Sequence, residues 1–209
     1  AELEYTSDVW IDDVYVQADI ESGKAVLKTT VDSAGEAEDT AVTVEAKIKD
    51  GEGKTVSETK SGDVSIGDEC RTVELECDMG GFRYWSVDDP YLYTAEVTLG
   101  RGGQTVDGLS QRFGMREFRV NGNVLELNRR RILFRAFGDD PHASVIPYLT
   151  PTRDKELVRR RIRMAKELGF NGIRNHTHPY TPEELEVCDE EGFLVHNEVS
   201  VISNFNMVQ

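Results

Sequence analysis

Phe170-Asn171-Gly172-Ile173-Arg174, Thr181-Pro182-Glu183-Glu184 and Gly192-Phe193-Leu194-Val195-His196 follow one another in the second half of this chain, and together they decide how that half folds. The first and last are short apolar runs bounded by glycine, the length of buried strands. Between them a threonine stands directly before a proline and three residues before a glutamate. That is a capping box with proline at the first helical position, so the spacing predicts a helix that runs to Glu191 and stops at Gly192. Upstream, Asp154 to Leu168 places Leu157, Val158, Ile162, Ala165 and Leu168 on one stripe. Arg159, Arg160, Arg163 and Lys166 lie outside that stripe and Gly169 follows it, which predicts an amphipathic helix of about four turns. The apolar run Ile132-Leu133-Phe134 is expected to be the strand that opens the series. Strand, helix, strand, helix, strand implies a parallel sheet, because such crossovers are right-handed.

Two architectures share this pattern. A doubly wound sheet that binds a dinucleotide carries a glycine fingerprint after its first strand. Here the turn reads Gly138-Asp139-Asp140-Pro141, without that fingerprint. The expectation is therefore a (β/α)8 barrel with no cofactor. A closed barrel takes about 250 residues, so residues 119–209 supply only its N-terminal part.

The first 118 residues follow a different period. Val42, Val44, Ala46 and Ile48 alternate with polar neighbours, as do Val73, Leu75 and Cys77, and Tyr93, Ala95, Val97 and Leu99. Alternation of this kind puts one face of each strand on a core and the other in water. Turn signals at Ser22-Gly23, Ser33-Ala34-Gly35, Asp50 to Gly53, Ser61-Gly62 and Arg101-Gly102-Gly103 separate about seven short strands, the size of an immunoglobulin-like sandwich. A short strand pair, Phe118 to Val120 and Val124 to Leu127 around Asn121-Gly122, then leads into the barrel. The predicted domains are a sandwich over 1–118 and a barrel segment over 119–209.

Charge follows the same division. Of the 209 residues, Asp and Glu outnumber Lys and Arg by 26 to 11 over residues 1–118, while the two signs balance at 13 each over 119–209. An acidic first domain repels phosphate backbones and anionic lipid, so neither nucleic acid nor a membrane surface is an expected partner. Arg129, Arg130 and Arg131 read as the solvated turn of a hairpin. Cys70, Cys77 and Cys188 have no metal-type spacing and leave at least one thiol free. No run approaches the roughly 20 apolar residues of a membrane span, and no export signal opens the chain, so the compartment is not legible.

In a parallel barrel the working residues leave the C-terminal ends of the strands. Three loops follow from that rule: Asp139, Asp140 and His142; Arg174, Asn175, His176 and His178; and His196, Asn197 and Glu198. All four histidines gather on this face with an arginine and carboxylates, which points to a site for a polar ligand. His176 and His178 with Glu198 fall short of a metal site, because no fourth ligand is evident. Asp139-Asp140 reads equally as a capping pair or as an acceptor for neighbouring sugar hydroxyls. Trp10, Trp85, Tyr84 and Tyr91 read as packing aromatics rather than sugar platforms.

Tyr84-Trp85-Ser86-Val87-Asp88-Asp89-Pro90-Tyr91-Leu92-Tyr93 resembles a signature near the end of the sandwich in the family 2 glycoside hydrolases, which include β-galactosidases, β-glucuronidases and β-mannosidases. Phe113 to Phe118 resembles the family's link into the barrel. Leu127-Asn128 with Ile132 to Ala136, Asn171 to Arg174, and Cys188 to Val195 resemble later motifs in family order. Three departures stand out: Arg129 and Ala136 replace family glycines, and the usual histidine after the second strand aligns with Thr177. The resemblance implies a retaining hydrolase of β-linked sugars, using one glutamate as acid/base and another as nucleophile. In the family these follow the fourth and seventh strands, so no catalytic residue is expected within this chain. It implies that Asp139, Asp140, Arg174, His176, His178, Asn197 and Glu198 bind substrate, with no metal. The chain alone is expected to be inactive and to self-associate unless the remainder of the parent barrel covers its strand edges. The alternative is a non-catalytic carbohydrate-binding or scaffold protein built on the sandwich.

Overall fold

The computed structural model describes residues 6–34, 40–67, 69–139, 155–176 and 179–198. The chain forms two compact units, one of residues 1–84 and 92–117, the other of residues 85–91 and 118–209.

The first unit is an immunoglobulin-like β-sandwich. Strands β1 (Val9–Asp19), β2 (Lys24–Ser33) and β6 (Arg71–Asp78) form an antiparallel sheet in the order β1-β2-β6. Strands β3 (Thr40–Lys49), β4 (Thr55–Lys60), β7 (Tyr93–Arg101) and β8 (Gln104–Phe113) form the other in the order β4-β3-β7-β8, and β5 (Val64–Ile66) also pairs with β3. The alternation in the sequence becomes burial. Val44 sits opposite Leu99, Ala46 opposite Val97 and Ile48 opposite Ala95, and all six side chains are buried. Each large aliphatic among them contributes about 1.5–3 kcal/mol. The Asp50 carboxylate accepts from the main-chain N–H groups of Glu52 at 3.0 Å and Lys54 at 2.9 Å, closing the turn between β3 and β4. Strand β1 is tied to the β7–β8 hairpin of the other sheet. Ile11 N–H donates to Asp107 at 2.7 Å, and Arg101 grips Asp8 with both Nη atoms at 2.6 and 2.8 Å. Thr29 on β2 is a polar residue that is fully buried, and among the described residues its hydroxyl finds no partner. Cys77 faces the core, whereas Cys70 is exposed.

The second unit begins with an antiparallel meander of β9 (Phe118–Asn121), β10 (Val124–Leu127) and β11 (Arg130–Arg131). A parallel sheet follows, β12 (Ala136–Asp139), β13 (Gly172–Asn175) and β14 (Leu194–Asn197), with α1 (Lys155–Glu167) and α2 (Pro182–Glu191) as crossovers. It is the start of an α/β barrel that is not closed. Ile162, Ala165, Ile173, Val187, Cys188 and Phe193 form its core, joined by Phe137, Val158, Phe170, Tyr180 and Val195. The capping box is present in full at the start of α2, and Gly192 ends that helix in the left-handed region. Arg129 to Arg131 are exposed as expected, but only Arg129 lies in the turn, with Asn128, while Arg130 and Arg131 pair with β10 as β11.

Two local expectations need correction. The first parallel strand is Ala136–Asp139 rather than Ile132–Phe134, and Leu133 is 65% exposed. The reason lies in the neighbour: Ala136 pairs with Gly172, and the Phe134 ring lies so close over Gly172 that a Cβ there would meet it at 2.1 Å. The apolar run is thus used for packing ahead of the strand. Leu168 leaves the buried stripe, because α1 ends at Glu167, and it is 77% exposed. The basic side of α1 carries ion pairs. Arg159 pairs with Glu156, Glu190 and Glu191, and Arg163 with Glu191, so α1 and α2 are joined by ion pairs as well as by the core.

Residues 85–91 pack within the second unit although they lie between β6 and β7 in sequence. Trp85 is fully buried, and its indole N–H donates to the Asp189 carbonyl at 2.8 Å. Asn128 Nδ2 donates to the Trp85 carbonyl at 2.9 Å. Lys166 Nζ reaches the Val87 carbonyl at 2.8 Å and also the Glu191 carbonyl. Among the described residues no helix is long and apolar enough to cross a membrane.

Candidate functional site

The register of the parallel sheet sets the candidate face. Gly138, Arg174 and His196 form one row across β12, β13 and β14, and Asp139, Asn175 and Asn197 form the next row, at the C-terminal ends. Ile173 and Val195 belong to the core under the helices. Strand alternation therefore turns Arg174 and His196 to the opposite face, and both are exposed.

Arg174 Nη2 meets the Glu198 carboxylate in an ion pair that links β13 to the residue after β14. The two side chains retain 47% and 25% of their exposure, so solvent screens the pair and it adds little to stability. Its value is directional. A guanidinium beside a carboxylate presents fixed donors next to an acceptor, a combination suited to neighbouring hydroxyl groups.

A second contact lies one row further on. Asn175 Nδ2 donates to Asn197 Oδ1 at 2.9 Å, and the main-chain N–H of Tyr180 donates to the same oxygen at 3.2 Å. Tyr180 directly precedes the cap of α2, where Thr181 N–H donates to Glu184 at 2.9 Å. The capping box read in the sequence thus fixes the loop that approaches Asn197. Asn175 is 3% exposed, and its Oδ1 has no donor among the described residues. His176 follows β13 and is exposed.

Of the residues expected to bind substrate, Arg174 and Glu198 are in contact. Asn197 alternates to the side of Ile173 and Val195, where Asn175 meets it, and His176 stands at the adjoining strand end. Asp139 is in backbone register with Asn175 and Asn197, while its side chain, Asp140 and His178 lie outside the described residues. Asn175 was the residue whose part the sequence hid. The strand-end rule names it among the loop residues, but its burial and its contact with Asn197 carry no signal in the sequence. Among the described residues no group of three His, Cys, Asp or Glu side chains is arranged to hold a metal.

Comparison with known proteins gives the same two parts in the same order. Residues 9–116 match the family described as glycosyl hydrolases family 2, and residues 118–209 match the TIM barrel domain of that family. A β-galactosidase of Halalkalibacterium halodurans is 26% identical over 93% of this chain and 18% of its own length. A β-glucuronidase of Streptococcus agalactiae is 29% identical over 78% of the chain and 25% of its own length. The chain therefore spans about a fifth to a quarter of these relatives. The crystal structure of a family 2 member from Bacteroides cellulosilyticus superposes with a TM-score of 0.80 at 19% identity, covering 93% of this chain and 27% of that one, a likeness of fold. With a sandwich and a barrel opening that match consecutive parts of one family across most of its length, this chain belongs to the glycosyl hydrolases of family 2.

Proposed function

We propose that this chain is part of a retaining glycoside hydrolase acting on β-linked sugars, and that it contributes the sandwich and one wall of the sugar site. The observation that carries this reading is the row of polar side chains at the C-terminal ends of β13 and β14, centred on the Arg174–Glu198 pair. In a barrel that edge is where substrate binds. The sugar would meet Arg174, Asn197 and Glu198, together with Asp139, Asp140, His176 and His178 from the adjoining loops. Retaining hydrolysis needs two carboxyl groups about 5–5.5 Å apart, one protonating the leaving oxygen and one attacking the anomeric carbon. Those two glutamates belong to later strands of a longer protein, so the role of the present residues is to bind and orient.

The test is a panel of p-nitrophenyl β-galactoside, β-glucuronide and β-mannoside offered to the full-length enzyme and, separately, to the 23.5 kDa chain. Release of nitrophenol by the full-length enzyme alone, with the β-anomer appearing first by NMR, is the expected result. Turnover by the 209-residue chain would place the catalytic pair among the residues described here and overturn the proposal. An inactive full-length protein that still binds sugar would favour a non-catalytic carbohydrate-binding role.

A further inference from the structure

An asparagine followed by glycine can cyclise on itself, because the glycine main-chain nitrogen has no neighbouring Cβ to hinder its attack on the asparagine side-chain carbonyl. The chain has two such pairs, Asn121-Gly122 and Asn171-Gly172, and the fold treats them in opposite ways. Asn171 is 5% exposed, and both ends of its amide are committed. Its Oδ1 accepts from Arg135 N–H at 2.7 Å and its Nδ2 donates to the Leu133 carbonyl at 2.8 Å. The peptide that joins it to Gly172 is held as well: the Asn171 carbonyl accepts from Leu194 N–H at 2.9 Å, and the Phe134 ring lies against Gly172. Neither the side chain nor that peptide turns without opening the core. Asn121 stands at the other extreme. It is the last residue of β9, its pairing with Val124 ends the ladder, and Asn121, Gly122 and Asn123 are all exposed. Gly122 sits at φ 61° with nothing within 4 Å of the place a Cβ would take. Among the described residues the Asn121 amide makes one hydrogen bond, a surface contact from Nδ2 to Glu126 at 2.9 Å. The end of a ladder with so little packed on it opens at small cost.

We infer that Asn121 is a site of spontaneous covalent modification, by ring closure on Gly122 and hydrolysis to aspartate or isoaspartate, from which the fold protects Asn171. The Gly122 nitrogen bonds to Cγ of Asn121, the Cγ–Nδ2 bond breaks, and the Gly122 amide proton departs on Nδ2 as ammonia. Water then opens the cyclic imide at either carbonyl. Opening at the main-chain side of the ring gives isoaspartate, with an extra methylene in the backbone; opening at the other gives aspartate in an ordinary chain. Either product replaces the Nδ2 donor by a carboxylate beside Glu126. Like charges on paired strands repel, so the contact that joins β9 to β10 reverses its sign. Isoaspartate also shifts the ladder at its closing pair, in the hairpin that opens the second unit.

Warm incubation of the full-length enzyme at mildly alkaline pH, followed by peptide mapping with mass spectrometry, tests it. The peptide that holds residue 121 should gain the mass difference between an amide and an acid and resolve into aspartate and isoaspartate forms. The peptide that holds residue 171 waits on opening of the core, so it should convert at least about a hundredfold more slowly. In concentrated urea that protection disappears and the two sites should convert at similar rates. Asn121→Gln, whose longer side chain closes the ring poorly, should abolish the change at residue 121 and leave the behaviour of residue 171 as it was. If that variant fails to fold, the wild-type maps with and without urea decide alone. Equal rates at the two sites in the folded enzyme overturn the inference, as does a residue 121 peptide that stays intact while the urea sample converts. A residue 171 peptide that still lags in urea overturns the part assigned to the fold. No sugar enters the experiment, so none of these outcomes bears on the hydrolase reading.

Discussion

Gly192→Ala is the substitution whose cost the structure specifies best. Gly192 ends α2 at φ 67°, and a Cβ built on it would lie 2.5 Å from the Val87 carbonyl oxygen and 3.1 Å from that of Ser86. Two penalties add. An L-residue in the left-handed region costs about 1–2 kcal/mol. Relieving the contact moves the Val87 carbonyl, which takes with it the hydrogen bond from Lys166 Nζ at 2.8 Å. Loss of a hydrogen bond to a charged donor costs about 1.5–3 kcal/mol. The sum is about 2.5–5 kcal/mol. Gly169 is the control, with φ 87° and nothing within 4 Å of its would-be Cβ, so Gly169→Ala should cost only about 1–2 kcal/mol. The chain has two tryptophans. In a Trp10→Phe background, Trp85 alone reports on the second unit during urea unfolding. With a slope of about 2 kcal/mol per M, the Gly192→Ala midpoint should fall about 0.75–1.5 M below that of Gly169→Ala. Equal midpoints would show that residues 85–91 do not press on the end of α2, and would refute the account of how that segment is held.

Thr29→Val removes a buried hydroxyl that has no partner among the described residues and keeps the shape of the side chain. It should leave stability unchanged or raise it by about 1 kcal/mol, as calorimetry of the sandwich would show. Arg129 is exposed at φ 63°, so Arg129→Gly should relieve about 1 kcal/mol of backbone strain and raise the urea midpoint. Of the three thiols, Cys70 should react at once with a thiol reagent. Cys77 and Cys188 are buried, and burial pushes both thiols up, so they should react only on unfolding. The Asn121 and Arg119 side chains beside Glu126 hold its carboxyl below the usual range. Its contribution is then present at neutral pH and lost as pH falls through the folded-state value, so Glu126→Gln should flatten the acid limb of the stability profile.

What the sequence made legible was periodic or punctuated. The sandwich core was readable because Val44, Ala46 and Ile48 alternate with charged neighbours, and α2 because Thr181, Pro182, Glu184 and Gly192 each occupy a position that local geometry demands. The strand at Ala136–Asp139 was not, since Ala-Phe-Gly-Asp is no apolar run and its place is set by register against Gly172. The more apolar Ile132 to Phe134 acted as a decoy. At the candidate site, the rule that strand ends carry function named Arg174, Asn175, Asn197 and Glu198 as candidates. It could not say that Asn175 lies buried beside Asn197, because that depends on the loop returning through Tyr180. The motif at residues 84–93 was recognisable, but nothing local to it names Asp189 as the partner of Trp85.

That partnership has a consequence for synthesis. Trp85 and Asp189 are separated by 104 residues. At about 5–20 residues per second, residues 85–91 leave the ribosome roughly 5–20 s before α2 exists to receive them. During that interval the indole N–H has only water or transient partners, in a segment whose flanks already belong to the sandwich. A slowed ribosome or a heat pulse in this window exposes an aromatic loop on an otherwise complete domain, a natural substrate for chaperones. The yield of native protein should then depend on translation rate downstream of residue 118 more than on the codons of the sandwich itself.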